Sequence, residues 1–339
     1  MLVLVEKPSM AQHLEPILAE FFPGETFEYL IAHPYGMPFV FDYPSKLSWH
    51  DYPLWRDAAY RLDPERQRHL ERDETGRLRS MPCDYANVKP HQHAIAITDP
   101  HVSAVLAGQR MRDMLQQAGK FESWLGTFTF FSLAQDDMRR QMSRPLDEEQ
   151  VRWACASAQL KADFDFSFLV NSAGLLTRCY AAAGGQATSP VLSKYMIQTL
   201  YAVRMLESRK VNGVPFFLSE SSLHQQMSRW EGTGRYAPER GYLGSCASRQ
   251  EIIEQLQRYG LLQYHVLPGK ETVTEFSRQP HRISLSALGS AFLERLHPDC
   301  EDLDLPFRIA QWQEKPFESR QAAQRYIRTW FGKQKRFMG

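Results

Sequence analysis

One pattern constrains this chain more than any other, and it occurs twice. Residues 2–5 read Leu-Val-Leu-Val and run straight into Glu6-Lys7-Pro8-Ser9. Residues 94–97 read Ala-Ile-Ala-Ile and run into Thr98-Asp99-Pro100-His101. A four-residue run that is apolar on both faces suits a strand covered on both sides. After the first run, Met10, Leu14, Ile17 and Leu18 recur at close to helical spacing; after the second, a helix is expected from about Ser103 to Ala118. Strand, short polar turn and helix together form an α/β unit. In a parallel sheet, functional groups collect at the carboxyl ends of the strands. Glu6 and Asp99 are therefore expected at one sheet edge although 93 positions separate them.

Two carboxylates at such an edge are what Mg²⁺ requires, because that hard cation takes oxygen ligands. Lys7, beside Glu6, is placed to hold a phosphate oxygen. The competing reading is structural: acids at strand ends also serve as turn formers and helix caps. The pattern by itself leaves both open.

A length of 339 residues exceeds one ordinary core and suggests two or three domains. Forty basic residues against thirty-nine acidic ones leave net charge without a vote on nucleic acid, so only local patches can decide. The five cysteines are scattered and never paired as CxxC. That argues against a disulfide framework or a zinc ribbon and points to a reducing, cytoplasmic setting. The four apolar residues at the start are too few for a signal peptide, and no run approaches the ~18 residues of a membrane span.

Three segments follow from the periodicity. Residues 1–134 read as an α/β domain, in which "FEYLIAHPYGMPFVF" forms strands around a Pro-Tyr-Gly turn and residues 44–88 are irregular surface with short helices. Residues 135–216 read as mostly helical, including a helix capped by Ser189 with Pro190 at its first position and a short break over residues 211–215. Residues 217–339 combine an amphipathic helix (Ile252, Ile253, Leu256 and Tyr259 on one face), a two-strand stretch, a further helix and a basic last helix over about 320–331. Helix, β loop, helix is compatible with a winged helix-turn-helix.

"VLVEKPSMAQHL" resembles the first motif of a TOPRIM domain as carried by topoisomerase III-like type IA DNA topoisomerases. "IAITDPHVSAVLAGQRM" is similar to the second motif, Thr-Asp-x-Asp-Arg-Glu-Gly-Glu after a hydrophobic strand. "IAHPYGMPFVF" resembles the strand between them, with Gly36-Met37 where the family has Gly-His. "LTRCYAAAGGQATSPVLSKYMIQTLYAV" resembles the helix with Val-Leu-Ser-x-Gly-Arg-Val-Gln-Thr-Pro, matching at Ser193, Gln198 and Thr199. Residues 244–249, Gly-Ser-Cys-Ala-Ser-Arg, stand where the family has Gly-Thr-x-Ala-Thr-Arg, and "ISLSALGSAFLERL" is similar to its Pro-Thr-Glu-Leu-Gly helix. The ordered series covers nearly the whole chain.

The departures are as informative as the matches. Type IA enzymes cut one strand with a tyrosine on a gate arch, which takes on the order of two domains of ~100 residues. Here only residues 200–216 fill that interval, too few to fold independently. Tyr201, Tyr236 and Tyr242 lie nearest, without the family's Tyr-x-Arg context; Tyr326 has that context but lies in the last helix. The family's acidic triplet falls on Asp99, His101 and Ser103, so only Asp99 remains beside Glu6. The arginine after the second acid is Val102, and that of the Gly-Arg-Val-Gln-Thr motif is Met196.

The resemblance thus implies a TOPRIM α/β domain, a helical domain and a winged-helix-like domain without a gate. It implies a DNA-binding, non-relaxing accessory protein, a pseudoenzyme acting on single strands, with a mobile element as the expected setting. Glu6, Lys7, Asp99 and His101 are degenerate catalytic positions, with Glu6 and Asp99 as metal ligands. The implied cofactor is none, or weakly bound Mg²⁺ or Mn²⁺; His101, near His91 and His93, reads first as a surface or hydrogen-bonding histidine, and as a ligand it would incline the site toward Mn²⁺ or Zn²⁺. Lys7, Arg178 (after Thr177), Gln198, Arg249, Arg325, Arg328, Lys333, Lys335 and Arg336 are the expected DNA contacts. The expected partners are DNA and another DNA-processing protein, with no membrane. Two further readings stand beside this one: a metal-dependent nuclease using Glu6, Asp99 and His101 to activate water, and a protein-interaction subunit using the face an arch would cover.

Overall fold

The computed structural model describes the chain except for residues 33–38, 45, 187–189, 212–213, 216–217, 247, 267–280 and 339. It is a mixed α/β protein with a central, mostly parallel sheet and ten α-helices among the described residues. Two compact units divide it: Met1–Asp42 with Ala58–Lys161, and Tyr43–Asp57 with Ala162–Gly339. Among the described residues, no helix is long and apolar enough to cross a membrane.

The first unit runs β1 (Leu2–Val5), α1 (Pro8–Phe21), β2 (Glu28–Ile31), β3 (Phe39–Phe41), β4 (Tyr60–Leu62), β5 (Arg68–Arg72), β6 (Leu78–Pro82), β7 (His91–Thr98), α2 (Val102–Gln117), β8 (Phe121–Thr129) and α3 (Gln135–Met142). Its sheet has the order β6-β5-β2-β1-β7-β8. Strands β2, β1, β7 and β8 are parallel, and β5 and β6 add an antiparallel edge. Val5 pairs with Ile31 on one side and Ile97 on the other.

The alternation within β1 explains why it is apolar throughout. Val3 and Val5 pack with Leu14, Ile17 and Leu18 of α1 and Met138 of α3. Leu2 and Leu4 pack on the opposite face with Met111 and Leu115 of α2. Both faces are covered, as a parallel strand requires. Each of these buried aliphatic side chains contributes about 1.5–3 kcal/mol relative to exposure, so a charge at Leu14 would open the α1 face. The β7–β8 pairing shifts register between Ala94 and Ile95, beside Gly126. Gly126 sits at φ +142°, a backbone conformation that disfavours a side chain, and a Cβ there would press on Pro145 at 3.0 Å.

Residues 44–88 are more ordered than the sequence reading expected. They contribute β4, β5 and β6, the last two widening the central sheet. The strands escape a hydrophobicity scan because only Leu70 and Leu78 of β5 and β6 are buried. The hairpin between them is fixed by Asp73, whose Oδ1 accepts from Thr75 N, Thr75 Oγ1 and Arg77 N, an Asx-type turn. Strand β3 pairs with β4; the Pro-Tyr-Gly turn and Gly36-Met37 lie outside the described residues.

Helix α4 (Glu148–Ala182) contains the division between the units. The second unit continues with α5 (Lys194–Ser208), β9 (Lys210–Val211), β10 (Val214–Pro215), α6 (Glu220–Ser228), β11 (Trp230–Glu231), β12 (Arg240–Gly241), α7 (Arg249–Arg258), β13 (Leu262–Val266), β14 (His281–Leu285), α8 (Ala287–Glu294), α9 (Leu305–Glu314) and α10 (Pro316–Phe337). Two boundaries differ from expectation. Helix α5 starts at Lys194, where Ser193 Oγ accepts from Met196 N. Pro190 lies before it, outside any helix or strand, and Ser189 is outside the described residues. Helix α10 is longer than its basic stretch, because Pro316, Ala323, Ile327 and Phe331 give it a continuous buried stripe.

The unit's core is aromatic. Phe168 stands edge-on to Phe331 at 5.0 Å, and Phe164 contacts Trp312 and Tyr326. Segment 43–57 is held to α4 by buried polar groups. Asn171 Oδ1 accepts from Leu54 N and its Nδ2 donates to Leu54 O; Ser167 Oγ accepts from Arg56 N and donates to Arg56 O. The Tyr52 ring lies against Gly174, where a Cβ would come within 2.1 Å. Asp163, Ser167 and Asn171 are spaced i, i+4, i+8 and form one buried polar rail.

Candidate functional site

Strands β1 and β7 are adjacent and parallel, so their carboxyl ends coincide. Each ends in an acid, and each is followed by a helix that starts within a few residues: Lys7 is the N-cap residue of α1 and His101 that of α2. Neither side chain caps its helix. The edge therefore combines two carboxylates, one ammonium and the positive ends of two helices.

Glu6 is 5% exposed, and its Oε2 accepts the backbone N–H of Asp99 at 2.6 Å. Lys7 Nζ donates to Asp99 Oδ2 at 2.8 Å. The bond to Asp99, with the negative charges of Asp99 and Glu6 adding to it, raises the Lys7 pKa against a smaller opposing effect of burial. His101 and Ser103 are exposed. Thr98 Oγ1, at the end of β7, is buried without a hydrogen-bond partner among the described residues.

This arrangement commits Glu6 to a backbone amide and Asp99 to an ammonium. A divalent cation that took both carboxylates would share them with the Asp99 amide and the Lys7 ammonium, whose positive charge opposes it. Among the described residues, no group of three or more His, Cys, Asp and Glu side chains is arranged to hold a metal ion. His91 is engaged elsewhere, its Nε2 lying 2.7 Å from Glu28 Oε2.

The tyrosines occupy structural positions. Burial pushes the Tyr201 phenol well above its ordinary value, and burial with Asp302 does the same to Tyr326, whose hydroxyl donates to Asp302 Oδ2 at 3.0 Å. Tyr236 is buried, accepting from Arg235 and donating to Gln311 Oε1. Tyr242 is exposed, with Arg249 5.8 Å from its ring. An attacking phenol needs activation toward phenolate, and burial works the other way at Tyr201 and Tyr326. Only residues 209–219 join α5 to α6.

The expected DNA contacts fall into two groups. Gln198 is 3% exposed and donates to Asp302 O, and Arg249 is buried. Lys335 donates to the carbonyls of Trp49 and Tyr52, Lys333 pairs with Asp299, and Arg178 lies over the Trp49 ring at 4.4 Å. Arg325, Arg328 and Arg336 are exposed on α10 and make no ion pair among the described residues. Their spacing, i, i+3 and i+11, sets all three on one side of the helix.

Sequence reasoning missed two charged groups. Arg320 of the basic stretch pairs with the buried Asp163, 2.8 Å away, and with Asp57. Lys194, 4% exposed, pairs with Asp165. The i, i+4, i+8 spacing of Asp163, Ser167 and Asn171 in α4 was the available signal for the first pair, and nothing comparable marked the second. No protein-family model matches the chain, and no curated protein matches it.

Proposed function

We propose that this chain is a divergent relative of the topoisomerase III-like type IA enzymes that holds single-stranded DNA without cutting or passing it. The first unit is read as a TOPRIM domain, and the run α7, β13, β14, α8 as a winged-helix-like element. The observation that carries the reading is the closed edge at Glu6, Lys7 and Asp99. It keeps the acid-bearing strand ends side by side, yet Glu6 already accepts from a backbone amide and Asp99 from an ammonium. The short α5–α6 connection supports the absence of a gate. The exposed arginines of α10 supply sequence-independent phosphate contacts.

The test is a fluorescence-anisotropy titration of purified protein with single-stranded, duplex and junction DNA at two salt concentrations. The expected result is preference for single strands, with affinity falling as salt rises. Supercoiled DNA incubated with the protein and Mg²⁺ or Mn²⁺ should emerge unchanged. Cleavage that disappears in Glu6→Ala and Asp99→Ala would replace this reading with the nuclease. Relaxation with a covalent adduct would show a functional tyrosine, and absence of salt-dependent DNA binding would favour a protein-interaction subunit.

A further inference from the structure

A hollow of about 450 Å³ lies wholly within the second unit, between the turn at Gly234–Tyr236, α9 and α10. Four cations line it: Arg235, Arg308, Arg325 and Lys333. Its two acids are already engaged. Asp299 pairs with Lys333 at 2.7 Å, and Asp302 Oδ2 accepts from Arg308 Nε and the Tyr326 hydroxyl, each at 3.0 Å. Arg235 donates to the Tyr236 hydroxyl, a neutral partner, and Arg325 is exposed and without an ion pair among the described residues. Two positive charges are left in surplus.

The hollow also has an aromatic wall. Trp312 lines it half-buried and stands edge-on to Tyr326, with ring centroids 5.7 Å apart. Trp330, buried behind, is fixed by its indole N–H, which donates to Cys300 O at 2.9 Å. A rigid aromatic surface beside surplus guanidinium groups suits a ligand with one planar face and one anionic end. A bare phosphate would occupy a small part of this volume and leave the aromatic wall unused. A purely apolar ligand would leave the surplus positive charge unmatched.

We propose that this hollow binds one nucleotide unit, its base against Trp312 and its phosphate between Arg235 and Arg325. The unit is either a free nucleoside monophosphate or one residue of a single strand. The inference deepens the nucleic-acid reading above and rests on it. Thymidine monophosphate, thymidine, inorganic phosphate and a short oligothymidylate are titrated into the full chain by calorimetry. The monophosphate is expected to bind once per chain, with thymidine and phosphate each about tenfold weaker or more, since stacking and charge then act singly. Arg325→Ala and Trp312→Leu should each weaken the monophosphate about tenfold, and Lys89→Ala, an exposed lysine of the first unit, should not. Arg325 is exposed, so its removal spares the core if Trp312→Leu does not fold. Joint loss of monophosphate and oligothymidylate binding assigns the hollow to the strand, and loss of the monophosphate alone assigns it to a free nucleotide. Monophosphate binding that is absent, or unchanged in Arg325→Ala and Trp312→Leu, overturns the proposal. If the oligothymidylate still binds in that case, the function proposed above stands. Monophosphate binding by a chain that takes up no strand overturns that function and keeps the pocket.

Discussion

The Glu6 carboxylate receives the backbone N–H of Asp99 at 2.6 Å, across the carboxyl ends of two adjacent parallel strands. A side chain from one strand thereby fixes the turn after the next. The bond orients Asp99 so that its own carboxylate meets Lys7. Glu6 therefore positions the edge from a buried site, and Lys7 and Asp99 form the part that solvent reaches.

Removing that acceptor should show in stability. Glu6→Ala leaves the Asp99 amide without its charged partner and should cost about 1–3 kcal/mol, a fall in melting temperature of roughly 2–10 °C for the unit that holds it. Glu6→Gln keeps an acceptor oxygen and should lose less. Equal melting temperatures for Glu6→Ala and the parent, in thermal unfolding followed by circular dichroism, would show that the amide finds another partner.

The Lys7–Asp99 pair makes a pH prediction whose sign follows from the raised Lys7 pKa. A raised ammonium contributes stability below its unfolded value of about 10.4 and loses that contribution as pH rises through the folded value. The stability gap between the parent and Lys7→Met should be constant from neutral pH to about 10 and close above that. Lys7 is 46% exposed, so screening holds the gap below about 1 kcal/mol. Urea unfolding at pH 7 and 11 measures it, and a gap that widened at pH 11 would reverse the sign.

The parallel strands were legible because β1 and β7 are covered on both faces, which makes them continuous apolar runs. The meeting of Glu6 and Asp99 followed from strand adjacency and nothing else. Strands β5 and β6 were not legible: Arg68–Arg72 and Leu78–Pro82 lie at the edge of the sheet and bury one leucine each. What Glu6 bonds to was hidden as well, because a backbone amide leaves no trace in side-chain patterns. The hollow beside Trp312 joins residues from positions 235 to 333, and no local spacing marks such a gathering.

Asn171 holds both backbone groups of Leu54 from within α4. Asn171→Ala would orphan an N–H and a C=O together, at about 1–3 kcal/mol for each group that water does not reach. The loss should appear as accelerated hydrogen exchange around Leu54 and Arg56, with α4 itself little changed. Exchange that rose evenly across the unit would mean that this segment opens only with global unfolding.

Cysteine chemistry separates the five thiols. Cys246 is exposed, whereas burial pushes Cys83, Cys155 and Cys179 up to about 11 and Cys300 up to about 12. At pH 8 these four thiols are about one thousandth thiolate or less, and the thiolate is the reactive form. A chromogenic disulfide reagent should label one thiol rapidly in the native chain and five after denaturation. Cys246→Ser should remove the fast phase, and a fast phase that survived would place reactivity at a half-buried site such as Cys83.

The arginine ridge of α10 gives the most direct measure of nucleic-acid contact. Each phosphate neutralised on a single strand contributes about 0.7 to the slope of log affinity against log salt. Replacing Arg325, Arg328 and Arg336 together with alanine should flatten that slope by about 2 and weaken all sequences equally, because phosphate contacts carry no sequence information. Lys333→Ala should change it less, since Asp299 already neutralises that ammonium. Anisotropy titrations between about 50 and 200 mM salt read the slope. The three side chains are exposed, so the triple variant should melt with the parent, and an unchanged slope in a folded triple variant would move the strand away from α10.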